Sequence, residues 1–413
     1  MTETTGEPTA FNPFEPGMAE DPYPTYTKLR AKGPLHKLEG LPMYAAVGYD
    51  EVVQVLREPG GSHRYVEFQK TRVGAHAVDE PYCRGIAEFV LMKEGENHKR
   101  VRGAFIRAFT HRRVDALRPE IEAIAHRLID AIEADGEAEI IEAFAMKLPL
   151  RTISQLLLVP EDQQDAIVKL MEGFAIGIGW LPMDDAQQAQ ANEAVTGLEQ
   201  MFTALIAERR ATPGDDLLSA LIAEADAGQL SERELVAQAW GLFAAGHETT
   251  GAELGNMIIT LVDHPAQLAE LMEDRSLIPG AAEEIMRYRG LAQGPIRLFD
   301  HPIEIAGNTI PADTPIIPYV ASANRDERKM DDPDSFDIHR RQTIRQLSFS
   351  AGIHTCAGAH LAMTEMEVAI EVFFSRLRNV RVREIEFNQN AIIFQGPRRM
   401  MVQWDTANRT ARL

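Results

Sequence analysis

Four clusters in this chain combine residue types that chemistry needs with a spacing that makes them neighbours. The most specific is Phe349-Ser350-Ala351-Gly352-Ile353-His354-Thr355-Cys356-Ala357-Gly358, which holds one of only two cysteines. Glycines at 352 and 358 let the backbone bend and approach something flat and bulky. Beyond it Leu361, Met363, Met366, Ala369, Ile370 and Phe373 recur at helical spacing to about Leu377. Cys356 therefore sits at or just before a helix N-terminus, where unpaired amides and the positive dipole end favour a thiolate. Such a thiolate can be a nucleophile or a metal ligand. The plainer reading of a lone cysteine is a small buried hydrophobe.

The second cluster is Ala244-Ala245-Gly246-His247-Glu248-Thr249-Thr250. It lies inside a helix opened by the capping box Ser231-Glu232-Arg233-Glu234, with no breaker until His264-Pro265. At 1.5 Å per residue that helix is roughly 50 Å long. Gly246 and the threonines make a mid-helix kink the expectation. A hydroxyl beside a carboxylate can organise a short proton relay, and the plainer reading is a wet helix face. The third cluster, Glu284-Ile285-Met286-Arg287, puts an acid and a base on one helix face, a pair usually worth little at a surface. In the fourth, His98 and Arg102 stand one helical turn apart, ordinarily a solvated face.

The elements that must position these clusters are mostly helical. Short segments near 23–30 and 49–56 flank a hairpin of 35–38 with 43–47. Residues 62–94 show no sustained period, and a long irregular segment in a compact domain is usually functional. From Asn97 to Arg289 the pattern is helical almost throughout. After Gly290 it turns strand-like around 296–298, 303–305, 308–310 and 315–317, with a last strand pair between Val380 and Met401. This predicts a mainly α (α+β), helix-rich single domain over 20–413 with small antiparallel sheets, preceded by a flexible arm over 1–19.

Composition narrows the partners. Lys+Arg 42 against Asp+Glu 62 gives a net charge of −20, which argues against nucleic acid or an anionic membrane surface. Two cysteines cannot build a disulfide framework, and a thiol needed as a ligand implies a reducing compartment. No secretory pattern opens the sequence and no apolar run approaches about 18 residues, so a cytoplasmic protein without a membrane anchor is expected. No flavin or nicotinamide fingerprint follows a strand.

Phe-x-x-Gly-x-His-x-Cys-x-Gly is similar to the haem-ligand signature of the cytochrome P450 family, the haem-thiolate monooxygenases. The mid-helix cluster resembles that family's oxygen-activation motif, and Glu284-x-x-Arg287 its internal ion pair; the order along the chain also agrees. Ser350 and Ala357 depart from the usual Gly and Leu, the second leaving the haem's proximal side less packed. The resemblance spans essentially residues 20–405 and implies the P450 fold. It implies Cys356 as the axial iron ligand in a loop that includes Phe349 and Gly358. His98, Arg102, Arg297 and His354 become the partners of the haem propionates, Thr249 the oxygen-site hydroxyl and Glu248 its proton source. Without a Cys-x-x-Cys-His attachment motif the cofactor is expected to be non-covalent haem b, iron protoporphyrin IX. Gly241, Ala244, Ala245, Gln293, Ile296 and Phe394 would line the substrate pocket, along with parts of 62–94 and 172–185.

The function so implied is insertion of one atom of O2 into an apolar small organic molecule, such as a secondary-metabolite intermediate. Electrons would come from a ferredoxin and its ferredoxin reductase, docking on Arg107, Arg112, Arg113, Arg340, Arg341 and Arg345. The alternatives are a peroxide-driven peroxygenase, an oxidase acting on a carrier-protein-bound substrate, and a haem-thiolate sensor without turnover.

Overall fold

The computed structural model describes residues 8–341, 344–389 and 392–406. They divide into two compact units: the described residues within 8–61, 117–149 and 248–406 form the first, residues 62–116 and 150–247 the second. Helix predominates in both.

Among the described residues, all the sheets lie in the first unit. Its four-stranded sheet is mixed rather than antiparallel. Leu35–Leu38 and Tyr44–Ala46 make the expected antiparallel hairpin, while Thr9–Phe11 and Ile316–Pro318 join its two sides in parallel. Thus the expected flexible arm enters the fold at Thr9, and Phe11, Met18 and Ala19 are buried. A three-residue strand carries too little alternation to be read from sequence. Residues 1–7 of that arm lie outside the described residues. Arg378–Phe387 and Pro397–Asp405 pair antiparallel, with Glu137–Glu139 on the outer edge, and Ile303–Ile305 pairs with Asn308–Ile310. Leu347 and Ala351 are buried against Val52, Leu56, Ile305 and Ile316, so the run into the cysteine loop is anchored in the core under the mixed sheet.

Glu-x-x-Arg proves to be no surface feature. In the helix Ile278–Arg289 both side chains are fully buried, and two 2.7 Å bonds join the guanidinium to the carboxylate. Arg287 also donates to the carbonyls of Asn324, Pro333 and Ser335, while Glu284 accepts from the Asp337 amide and from Arg340. The pair pins the irregular 324–340 meander that leads toward the cysteine loop.

In the second unit, 62–94 is not irregular. It folds as helix Tyr65–Val73, a 3-10 turn Ala75–Asp79, helix Pro81–Ile86 and a second 3-10 turn Val90–Met92. Tyr65, Phe68, Gln69 and Arg72 share one face of the first of these helices at spacings of three and four. Because that face is partly polar, hydrophobic periodicity misses it. All four meet the end of helix Glu161–Ile178 and the residues after it. Tyr65 Oη donates to the Gly177 carbonyl at 2.9 Å, Gln69 to the same oxygen at 3.3 Å, and Phe68 stacks on Trp180 with ring centres 4.0 Å apart. Arg72 reaches the carbonyls of Ile176, Gly177 and Leu181 at 3.0, 3.3 and 2.6 Å. These include carbonyls that a helix C-terminus leaves without intrahelical partners, and a cation there also meets the negative dipole end. Arg72→Ala should therefore weaken the attachment by about 1–3 kcal/mol. Amide hydrogen exchange across 65–73 should rise roughly tenfold or more as a result; unchanged exchange would remove Arg72 from this role.

Candidate active site

The cysteine loop is held by its own backbone. Cys356 N donates to Phe349 O at 2.9 Å, closing the loop, and Ser350 N donates to Leu347 O at 2.7 Å. Ser350 has a φ of 64° and Gly352 one of 76°. A Cβ on Gly352 would lie 2.4 Å from the Leu56 carbonyl, so this position excludes every other residue. The helix Ala359–Arg376 begins three residues after Cys356, with Gly358 at its N-cap. Cys356 is exposed. A Cβ on Gly358 would be 4.0 Å from its sulfur, so glycine there keeps one flank of the thiol open.

Cys83, by contrast, is buried, and burial pushes its thiol up to about 11, which keeps it a neutral packing residue. Among the described residues no group of three or more His, Cys, Asp or Glu could hold a bare metal ion.

The long helix, Glu232–Asp263, runs unbroken through Gly246, where an added Cβ would meet only Ile153 at 3.4 Å. Its capping box is formed: Ser231 Oγ accepts from Glu234 N, and Glu234 accepts from Ser231 N. Residues 237–244 and 253–261 are buried without interruption. Between those runs Ala245 and Glu248 are exposed, and Thr249 and Ala252 half-buried. Positions 245, 248, 249 and 252 stand at i, i+3, i+4 and i+7, so one face opens in the middle of an otherwise covered helix. Thr250 and His247 point elsewhere and are buried; burial pulls His247 down to about 4, leaving it neutral.

Placement divides the other predicted residues. Arg297 is buried, its Nη1 donates to Ile296 O at 3.0 Å, and burial pulls its pKa down to about 10. His354 is buried in the 3-10 turn just before Cys356. In the second unit His98 is buried one turn from half-buried Arg102, and burial, then the Arg102 charge, lowers its pKa. For all of these an anion alongside would favour the charged form.

Several pocket expectations need correction. Gln293 is buried, accepts from Tyr26 Oη at 2.8 Å and donates to the Gly290 and Leu291 carbonyls, so it is a core tie. Gly241 is filled by Phe89, whose ring would lie 2.4 Å from an added Cβ. Ala244 and Ile296 are buried, while Phe394 is exposed. Of the six docking arginines, Arg107 pairs with Glu224, Arg113 with Asp215 and Arg340 with Glu284. That leaves exposed Arg112, Arg341 and Arg345.

Glu253 on the long helix is a functional candidate that sequence periodicity does not single out. It is buried, its Oε2 accepts from Leu291 N at 2.6 Å, and burial lifts its pKa to about 8 against the opposing pull of that amide. An acid inside the run Ala252–Val262 is the signal that could have found it. A folded pKa above the unfolded one makes this group favour the fold fully below about 4.5. That contribution is lost as pH rises through about 8. Glu253→Gln should therefore flatten the fall of unfolding free energy between pH 5 and 8, read from urea midpoints.

Residues 82–403 match the sequence profile described as Cytochrome P450. The chain belongs to the cytochrome P450 family. It is 34% identical over 398 residues to the cytochrome P450 monooxygenase PikC of Streptomyces venezuelae, covering 94% of this chain and 92% of that protein. To the pentalenic acid synthase of Streptomyces avermitilis it is 33% identical over 428 residues, covering 98% and 100%. The epothilone D-bound cytochrome P450epoK superposes with a TM-score of 0.87 at 27% identity, covering 96% of this chain and 99% of that one. This P450 is accordingly a monooxygenase of the haem-thiolate class, which uses O2, redox partners and an organic substrate. Among the described residues no helix is long and apolar enough to cross a membrane.

Proposed function

We propose that this P450 inserts one oxygen atom into an apolar small molecule of secondary metabolism, using non-covalent haem b and electrons from a ferredoxin and its reductase. The observation that carries the oxygen-site assignment is the open face at Ala245, Glu248, Thr249 and Ala252 in a helix buried on either side. Relatives such as PikC and pentalenic acid synthase support the substrate class.

When bound, the haem-thiolate supplies the activation of O2, with the Cys356 sulfur pushing electron density to the iron. The chain's own residues do the rest. Cys356, in the loop closed by the Phe349 carbonyl and opened at Gly358, would hold the iron through its thiolate. Arg297 and His354, both buried in the first unit, are the proposed partners of the propionates. Thr249 Oγ1 holds a proton at the oxygen side, and the Glu248 carboxylate, reachable by solvent, renews it. Ala245 keeps the wall small and apolar, and with Phe394 is retained as a substrate contact. Arg341 and Arg345, exposed in the first unit, are the cations proposed to meet an acidic electron donor.

Thr249→Ala separates this reading from a peroxygenase. In that variant, product formed per reduced cofactor consumed should fall about tenfold or more while hydrogen peroxide rises to match. Peroxide-driven turnover should change little. If coupling stays at the wild-type value, Thr249 is not the oxygen-site hydroxyl.

A further inference from the structure

Glu253 lies one helical turn beyond Thr249, yet the proposed reaction gives it no task. Its surroundings do. Gln395 N donates to Leu291 O at 2.8 Å, Gln293 N to Ile393 O at 2.7 Å, and Ala292 bridges to Phe394. Residues 291–293 and 393–395 thus form a short two-stranded ladder. Two side chains of the long helix hold that ladder from below. Glu253 Oε2 accepts from the amide of Leu291, and Asn256 Nδ2 donates to the carbonyl of Gln395 at 2.9 Å. The fit is tight: a Cβ on Gly396 would lie 3.1 Å from Ala252 Cβ and 3.1 Å from Leu291 Cδ1. The ladder leads directly into Ile296 and Arg297 on one side and carries exposed Phe394 on the other.

We propose that Glu253 is a positioning residue that acts as a neutral acid, seating this ladder against the oxygen-facing turn of the long helix. The proposal rests on the reading of Ala245–Thr249 as the oxygen side. Glu253 Oε1 and Gln395 Oε1 are both buried and have no hydrogen-bond partner among the described residues. A proton on the acid turns one of these two stranded acceptors into a donor, whereas a carboxylate leaves a desolvated charge with only the Leu291 amide to meet it. Burial accordingly holds the proton up to about pH 8.

The titratable groups around it do not reverse this. Tyr23, on the neighbouring helix Tyr23–Lys32, is the phenol that senses Glu253; burial raises its pKa. Arg325 and Arg289 act on Tyr23 in the opposite sense, and Asp21 adds to the rise. Ionisation of Glu253 would place a negative charge against that buried phenol and loosen the ladder.

The test uses the haem-loaded enzyme, wild type and Glu253→Gln, which keeps the shape and the acceptor but cannot ionise. Infrared difference spectra should show a protonated-carboxyl stretch that titrates away near pH 8 and is missing in E253Q. Product per reduced cofactor should drop about tenfold per pH unit above that midpoint in wild type and stay level in E253Q. An E253Q profile with the wild-type alkaline limb would overturn the proposal, as would a wild-type enzyme lacking the carboxyl band at pH 6. If E253Q fails to fold, the wild-type band and its midpoint still decide. Should Thr249→Ala leave coupling intact while E253Q removes the alkaline limb, the oxygen-side reading fails and the clamp stands.

Discussion

Cys356→Ala is expected to yield a folded protein that has lost the red-shifted Soret band of the reduced, carbon-monoxide-bound state. Monooxygenase turnover should fall on the order of 10³-fold or more, because the group that activates O2 loses its thiolate push. Folding should survive, since truncating an exposed side chain costs within about 0.5 kcal/mol. The loop geometry belongs to the backbone bond from Cys356 N to Phe349 O and to Gly352, neither of which the substitution touches. Circular dichroism and the urea midpoint would thus match wild type while the spectrum changes. A variant that kept the band would transfer the ligand role away from Cys356.

The second large effect is structural. Removing one member of a buried ion pair leaves a charge without its partner, at about 3–5 kcal/mol. For Arg287→Ala that is a large share of the 5–15 kcal/mol by which domains are typically stable. Such a variant should unfold at much lower urea and carry far less haem per chain. Arg287→Lys should fare little better, because an ammonium cannot reproduce a planar fork reaching Glu284 on one side and backbone carbonyls on the other. An apolar double replacement of Glu284 and Arg287 tests whether the pair matters only as a pair. Many buried ion pairs tolerate that exchange, but here the carbonyls of Asn324, Pro333 and Ser335 would lose their donor. The double variant should therefore stay as unstable as Arg287→Ala, and recovery to wild-type stability would refute this account.

The parts of the molecule readable from sequence are those whose meaning is local. Phe349–Gly358 states its chemistry within ten residues, and the capping box at Ser231 with the proline at 265 bounds the long helix to within one residue. Glu284-x-x-Arg287 was readable as a pair but not as a buried one, because burial depends on the 324–340 meander folding over it. Gln293 misled for a related reason: its place in the core is set by Tyr26, 267 residues away in sequence. Three docking arginines were spent on carboxylates that no spacing rule connects to them. The helix Tyr65–Val73 stayed hidden because its contact face uses a phenol, an amide and a guanidinium where periodicity looks for aliphatic side chains. Glu253 was missed because an acid in an apolar run reads as noise until its partner amide is known.

That helix face also has a consequence in time. Tyr65, Phe68, Gln69 and Arg72 converge on four residues, Ile176, Gly177, Trp180 and Leu181, at and just past the end of another helix, more than a hundred positions along the chain. Neither segment can swing out without breaking most of those bonds together, so both should open in a single activated event. Amides at 65–73 and at 176–181 would then exchange with one shared rate and one shared activation enthalpy. Any small molecule whose passage requires that end of the second unit to part would inherit the same clock. Its residence time, rather than its equilibrium affinity, would be the quantity that Arg72 sets.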